Sequence, residues 1–162
     1  MNTTADPRLI LREDELDLGL ELLLLAEAAL WAAVDTALEA EAKGLGRPHW
    51  RAAFLLRRRP GVGVRELAKL TGYSKQAASR TLAELEKAGL VAKTAAELDA
   101  RRRPASLTAE GEAFENRVSE RLRILLARAY RDGGLDGVGA ARRILASLAG
   151  PRLTVGQRRE DS

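Results

Sequence analysis

Between Val64 and Gly89 the chain spells out two short amphipathic helices with only four residues to join them, and this spacing constrains everything around it. Val64-Arg65-Glu66-Leu67-Ala68-Lys69-Leu70 predicts a helix with Val64, Leu67 and Ala68 on one face. Thr71-Gly72-Tyr73-Ser74 breaks it. Gly72 can take the left-handed conformation that ends a helix, and Ser74 can cap the next one through its hydroxyl. That next helix, Lys75 to Ala88, turns Ala78, Leu82 and Leu85 inward, and Gly89 stops it. Two helices joined by so short a glycine-containing turn form a helix-turn-helix, whose second helix enters the major groove of DNA. Leu90-Val91-Ala92-Lys93-Thr94 then reads as a strand, Asp99-Ala100-Arg101-Arg102-Arg103 as a basic loop tip, and Pro104-Ala105-Ser106-Leu107 as a returning strand. A hairpin behind a recognition helix is a wing.

Charge follows the same segment. Residues 47–103 hold 14 Lys/Arg against 5 Asp/Glu, net +9, whereas residues 1–46 hold 3 against 10, net −7, and residues 104–162 hold 10 against 8, net +2. A basic patch confined to one module is the footprint of a phosphate-binding surface; a merely solvated face is the alternative. There is no cysteine and one histidine, which removes disulfides, thiol redox sensing and the usual zinc sites. No carboxylate pair or glycine-rich phosphate loop suggests an enzyme. No cofactor or metal is expected. The acidic N-terminus does not read as a secretory leader. Glu21, Glu27 and Asp35 interrupt the apolar run of residues 20–38, which argues against a membrane span. A cytoplasmic, soluble protein is expected.

The flanks predict assembly. From about Asp14 to Lys43 the pattern is helical and apolar on two faces. Leu16, Leu20, Leu23, Leu24, Trp31, Val34 and Leu38 form one stripe, and Leu18, Leu22, Leu25, Ala29 and Ala32 another. A surface helix of a monomer needs one stripe; two imply cover from two sides. Such a helix is roughly 45 Å long, too long for a domain of this size to cover alone. Thr108 caps a further helix carrying Phe114, Val118, Leu122, Leu125 and Tyr130, which Asp132-Gly133-Gly134 breaks. A last helix with Ala140, Ile144, Leu145 and Leu148 ends at Gly150-Pro151. The expected architecture is mainly α with a small β-hairpin wing. Within one domain spanning 1–162, helices 10–46 and 108–149 dimerise, 47–107 form the winged helix-turn-helix, and 150–162 form a flexible tail. A monomeric bundle is the alternative.

These residues resemble the MarR family of bacterial winged helix-turn-helix regulators. The resemblance rests on His49-Trp50-Arg51 opening a helix, Val64-x-x-Leu67-Ala68, Ser74-Lys75-x-x-x-Ser79-Arg80, Leu85-Glu86-Lys87-x-Gly89-Leu90-Val91, Asp99-x-Arg101, and Leu107-Thr108-x-x-Gly111. The motifs follow one another without gaps from about Pro48 to Gly111; the flanks match only as helical pattern. The resemblance implies a double-stranded-DNA-binding transcriptional regulator, a repressor acting as a homodimer on a pseudo-palindromic operator and released by a small aromatic ligand. The alternative is a winged-helix module for protein contact, or a nucleoid-associated protein without sequence preference.

On the recognition helix, Gln76, Ser79, Arg80, Ala83 and Lys87 face outward. Gln76 can read adenine, and Arg80 guanine or a phosphate. Ser74, Lys75, Ser79 and Thr81 sit toward the N-terminal end, where hydroxyls and backbone N–H groups favour phosphate. Lys87 lies too far along to stay in the groove. In the wing, Asp99 can orient Arg101 for a narrow minor groove. The family places such a pair at the wing, and Arg102 and Arg103 can take flanking phosphates. Lys93 is followed by Thr94-Ala95-Ala96 where relatives often carry a basic pair, and Leu98 puts an apolar residue at the tip. For an aromatic effector, the candidate lining is Trp31, His49, Trp50, Arg51 and Phe54. Against that, Trp50 and Phe54 can be plain core and His49 an exposed first-turn residue.

Overall fold

The computed structural model describes residues 10–41, 44–93 and 105–155. Five helices and one hairpin follow in the order α1 (Glu13–Glu39), α2 (Arg47–Arg58), α3 (Val64–Thr71), α4 (Lys75–Lys87), β1 (Val91–Lys93), β2 (Ala105–Leu107) and α5 (Ala109–Ala149), with a 3₁₀ turn at Gly150–Thr154. The fold class expected from the sequence is the one observed, a winged helix-turn-helix between long N- and C-terminal helices. Among the described residues no helix is long and apolar enough to cross a membrane.

The stop signals work as chemistry predicts. Gly72 sits at φ +76° and returns its N–H to the Ala68 carbonyl at 2.9 Å, closing α3. The Ser74 hydroxyl accepts from the Ala77 N–H at 3.1 Å, opening α4. At the other end of α4, Gly89 adopts φ +73°. Its N–H reaches the Glu86 carbonyl at 3.0 Å while the Leu90 N–H reaches that of Leu85 at 2.9 Å, a Schellman closure. Leu90 is thus spent on ending the helix, which is why the first strand begins at Val91 rather than Leu90. The hairpin is antiparallel, with Val91 opposite Leu107 and Lys93 opposite Ala105.

One core joins both parts. Val34, Ala37 and Leu38 of α1 meet Trp50, Ala53 and Leu56 of α2, Leu67 of α3, Ala78, Leu82 and Leu85 of α4, and Phe114, Val118 and Leu122 of α5. Each fully buried large side chain contributes about 1.5–3 kcal/mol. A polar thread crosses this core: Trp50 Nε1 donates to Ser119 Oγ at 3.0 Å, Ser119 donates to the buried Glu115, and Glu115 pairs with Arg57. No buried side-chain polar atom among the described residues is left without a partner.

Two boundaries differ from expectation. The first helix ends at Glu39, because Ala40 and Glu41 close it with tight bonds to Ala37 and Leu38, and the Glu41 carboxylate then takes two N–H groups of the Arg117 guanidinium at 2.9–3.0 Å. The C-terminal tail does not begin at residue 150. Arg59 donates to the carbonyls of Leu153 and Val155, and Val155 packs on the core, so the chain stays docked through Val155. The break in α5 falls where the glycines predict it, with Gly134 at φ +67°, ψ 178°.

Candidate nucleic-acid interface

Helix α4 projects a polar, cationic face. Its apolar side chains at Ala78, Leu82 and Leu85 are buried, a spacing that forces Lys75, Gln76, Ser79, Arg80, Ala83 and Lys87 outward, and all six are exposed. Lys75, Gln76, Ser79, Arg80 and Ala83 line one shallow open hollow. Ser74, at the N-cap, accepts one backbone bond and keeps its own hydrogen to donate. Lys75 adds a cation at the helix end that already favours anions. Thr81 does not belong to this surface. It is 7% exposed and its hydroxyl donates to the Ala77 carbonyl at 3.0 Å, because position 81 lies on the core side between Ala78 and Leu82.

The wing is described through its two strands. Asp99, Arg101, Arg102 and Arg103, together with Leu98 and the Thr94-Ala95-Ala96 run, lie outside the described residues. The base of the wing is fixed by a close approach. Thr108 donates its N–H to the Leu90 carbonyl at 3.0 Å and its hydroxyl to the Gly89 carbonyl at 2.7 Å. The same hydroxyl accepts from the Gly111 N–H at 3.0 Å.

Sequence reasoning missed Glu84. Its Oε1 accepts from Arg80 Nε at 2.9 Å and its Oε2 lies 2.8 Å from His49 Nε2. Arg80 first, then His49, hold the Glu84 carboxyl below the usual carboxylate range. The Arg80–Glu84 spacing of four residues was a readable signal. The contact with His49, 35 positions away, was not.

The candidate effector residues divide. Trp31 and Trp50 meet edge to face with centroids 6.1 Å apart, and Trp50 and Phe54 are 5.6 Å apart. The Arg47 and Arg51 guanidiniums lie 5.5 and 6.0 Å from the Trp31 ring centre, and Arg51 also lies 5.4 Å from that of Tyr73. Trp31, Trp50, Arg51 and Phe54 therefore gather at the α1–α2 junction. Trp50 is core, 7% exposed with its ring N–H satisfied by Ser119. His49 is not in this group and is not the exposed first-turn residue of the alternative. It is 8% exposed and turns toward α4, because its ring closes the first turn of α2 on the Gly46 N–H at 2.9 Å.

Comparison with known proteins bears on the same segment. The sequence pattern that describes the MarR family matches residues 43–102. The HTH-type transcriptional regulator PetP of Rhodobacter capsulatus is 32% identical over 145 residues, 90% of this chain and 86% of PetP. Among solved structures, CouR from Rhodococcus jostii RHA1 bound to p-coumaroyl-CoA superposes with a TM-score of 0.67 at 28% identity, covering 80% of this chain and 90% of that one. The Mycobacterium tuberculosis MarR family protein Rv2887 in complex with DNA gives a TM-score of 0.59 at 31% identity, covering 80% and 96%. The same protein with salicylic acid gives 0.59 at 29%, covering 86% and 97%.

Proposed function

The chain belongs to the MarR family of DNA-binding transcriptional regulators, and from that premise we propose that it acts as a homodimeric repressor on a pseudo-palindromic operator and is released by a small aromatic acid. The observation that carries the DNA reading is the outward face of α4, where Lys75, Gln76, Ser79 and Arg80 stand exposed around one hollow. Gln76 and Arg80 read base edges; Ser74, Lys75 and Ser79 hold phosphates. Asp99, Arg101, Arg102 and Arg103 serve the wing on the strength of the Asp-x-Arg motif, with Arg101 in the minor groove at each outer flank. Residues 47–107 form the DNA-reading unit, and the helices on either side form the dimer.

The effector site belongs at the α1–α2 junction. The Arg51 guanidinium against the Trp31 ring suits a ligand with an aromatic plane and a carboxylate, while Arg47 on the same ring is held by Asp35. Salicylic acid on Rv2887 and the coumaroyl group on CouR share the aromatic plane, and salicylic acid the carboxylate as well, which supports the assignment. Arg51 and Trp31 are its principal residues, Phe54 and Trp50 its floor.

Selection of bound sequences from random duplex DNA by the full chain tests the function. Two inverted half-sites about one helical turn apart are expected. An enriched pool without symmetry would remove the dimeric operator, and no enrichment at all would favour a non-specific DNA-binding role.

A further inference from the structure

Glu84 puts a negative charge on a helix face that meets polyanionic DNA, which calls for a reason. Its two oxygens are divided between two partners. Oε1 takes the Nε–H of Arg80 at 2.9 Å, and Oε2 lies 2.8 Å from His49 Nε2. His49 stands in the first turn of α2, and its other nitrogen, Nδ1, is 2.9 Å from the backbone nitrogen of Gly46. A backbone N–H can only donate, so Nδ1 is an acceptor, the ring proton sits on Nε2, and His49 donates to Glu84. The three side chains grade from fixed to free: 10% exposed at His49, 40% at Glu84, 80% at Arg80. An isolated surface pair four residues apart orients little. Here the acceptor is itself held by a second helix.

We propose that Glu84 is a positioning residue for base reading, pinned by His49, and that it fixes the Arg80 guanidinium through Nε so that the two terminal nitrogens meet the DNA pre-oriented. The inference rests on α4 being the groove-reading helix. A free arginine loses rotamer freedom when it binds; one already held by its neighbour loses less. The same carboxylate repels phosphate. Glu84 therefore raises selectivity rather than affinity for DNA in general, and His49 acts on sequence choice without touching DNA.

The test uses the full chain and two duplexes, one selected from a random pool by the parent protein and a scrambled duplex of the same composition. Glu84→Ala is expected to weaken the selected duplex about 2- to 12-fold per half-site, the equivalent of ordering one long side chain, and not to weaken the scrambled one. Base preference should relax at the same base pairs as in Arg80→Ala, and the double variant should bind no more weakly than Arg80→Ala alone. His49→Gln cannot span both Gly46 and Glu84. Measured well below its unfolding midpoint, it should relax those same base pairs. Losses that multiply in the double variant, relaxation at other base pairs, or tighter binding of the selected duplex by Glu84→Ala would overturn the proposal. Unchanged preference in His49→Gln would remove His49 from it. A parent that enriches no sequence would instead overturn base reading by α4, before any variant is made.

Discussion

At residue scale, Gly111 carries a requirement that only the folded chain reveals. A Cβ built on it would lie 1.9 Å from the Leu90 carbonyl oxygen, a backbone atom that is itself held by the Thr108 N–H. Gly111→Ala must therefore push the start of α5 off the base of the wing. A loss of about 1–3 kcal/mol is expected from such overpacking, read as a lower unfolding midpoint in denaturant. An unchanged midpoint would mean the first turn of α5 shifts freely. Lys75 makes the contrasting case, since its side chain stands exposed at a helix N-terminus and has no packing role. Lys75→Ala should leave stability alone and weaken all duplexes alike. The slope of log affinity against log salt should fall by roughly one unit for each phosphate that the lysine neutralises in the parent. The outward residues of α4 were legible because helical periodicity fixes both faces once Ala78, Leu82 and Leu85 are inward. Thr81 was misread because its hydroxyl suggested a surface role, whereas a threonine can satisfy that group on the preceding turn and remain in the core. His49 was misplaced for a different reason: its two partners, Gly46 and Glu84, come from a helix cap and a tertiary contact that no spacing in the chain encodes.

At the scale of elements, turns and the helix ends marked by glycine or a capping serine were readable, whereas the end of α1 and the helix-to-helix ties were not. Gly72, Ser74, Gly89 and Gly134 each act at the position their chemistry assigns. By contrast, Asp35–Arg47, which lashes α1 to α2, and Glu41–Arg117, which lashes the turn after α1 to α5, depend on how the helices cross. The first of these makes a pH prediction. Arg47 donates to both oxygens of Asp35, from Nε at 2.8 Å and from a terminal nitrogen at 2.5 Å, and these bonds hold the Asp35 carboxyl below its ordinary value. A carboxyl depressed in the folded state stabilises the fold above its unfolded value, near pH 4. That contribution is lost as the pH falls through the lower, folded value. The thermal midpoint of Asp35→Asn should thus lie below that of the parent at pH 7, and the gap should narrow progressively below about pH 4. A gap that stays constant down to the acid limit would show that the pairing contributes nothing through ionisation. The exposure of both groups keeps the effect small.

At the scale of the whole molecule, the single chain leaves much of its apolar surface uncovered. In α1, a helix of 27 residues and about 40 Å, only Val34, Ala37 and Leu38 are buried. Leu16, Leu18, Leu20, Leu22, Leu24 and Leu25 are all about half exposed or more, and Leu125, Leu126, Ile144, Leu145 and Leu148 of α5 are likewise open. Two apolar stripes in the sequence announced this; which residues would meet in a dimer they did not, since that depends on how a second copy docks. Burying one exposed leucine contributes about 1.5–3 kcal/mol. These six are already about half covered, so covering what remains of them contributes about 4.5–9 kcal/mol per protomer, about 9–18 kcal/mol for two protomers together, against an association cost of about 4–15 kcal/mol. The balance favours a dimer at micromolar concentration. Leu20→Glu with Leu24→Glu places two charges one turn apart on this face, which should shift sedimentation from dimer to monomer while the winged-helix core, which neither leucine touches, stays folded. The monomer would hold one recognition helix. Protection of a selected operator, on the order of 16–22 base pairs for two helices a turn of duplex apart with wings outside, should then shrink to a single half-site. A parent chain that sediments only as monomer would sink the dimer and leave the exposed leucines to another partner. A double variant that stays dimeric would place the contact on other turns of α1 or on α5.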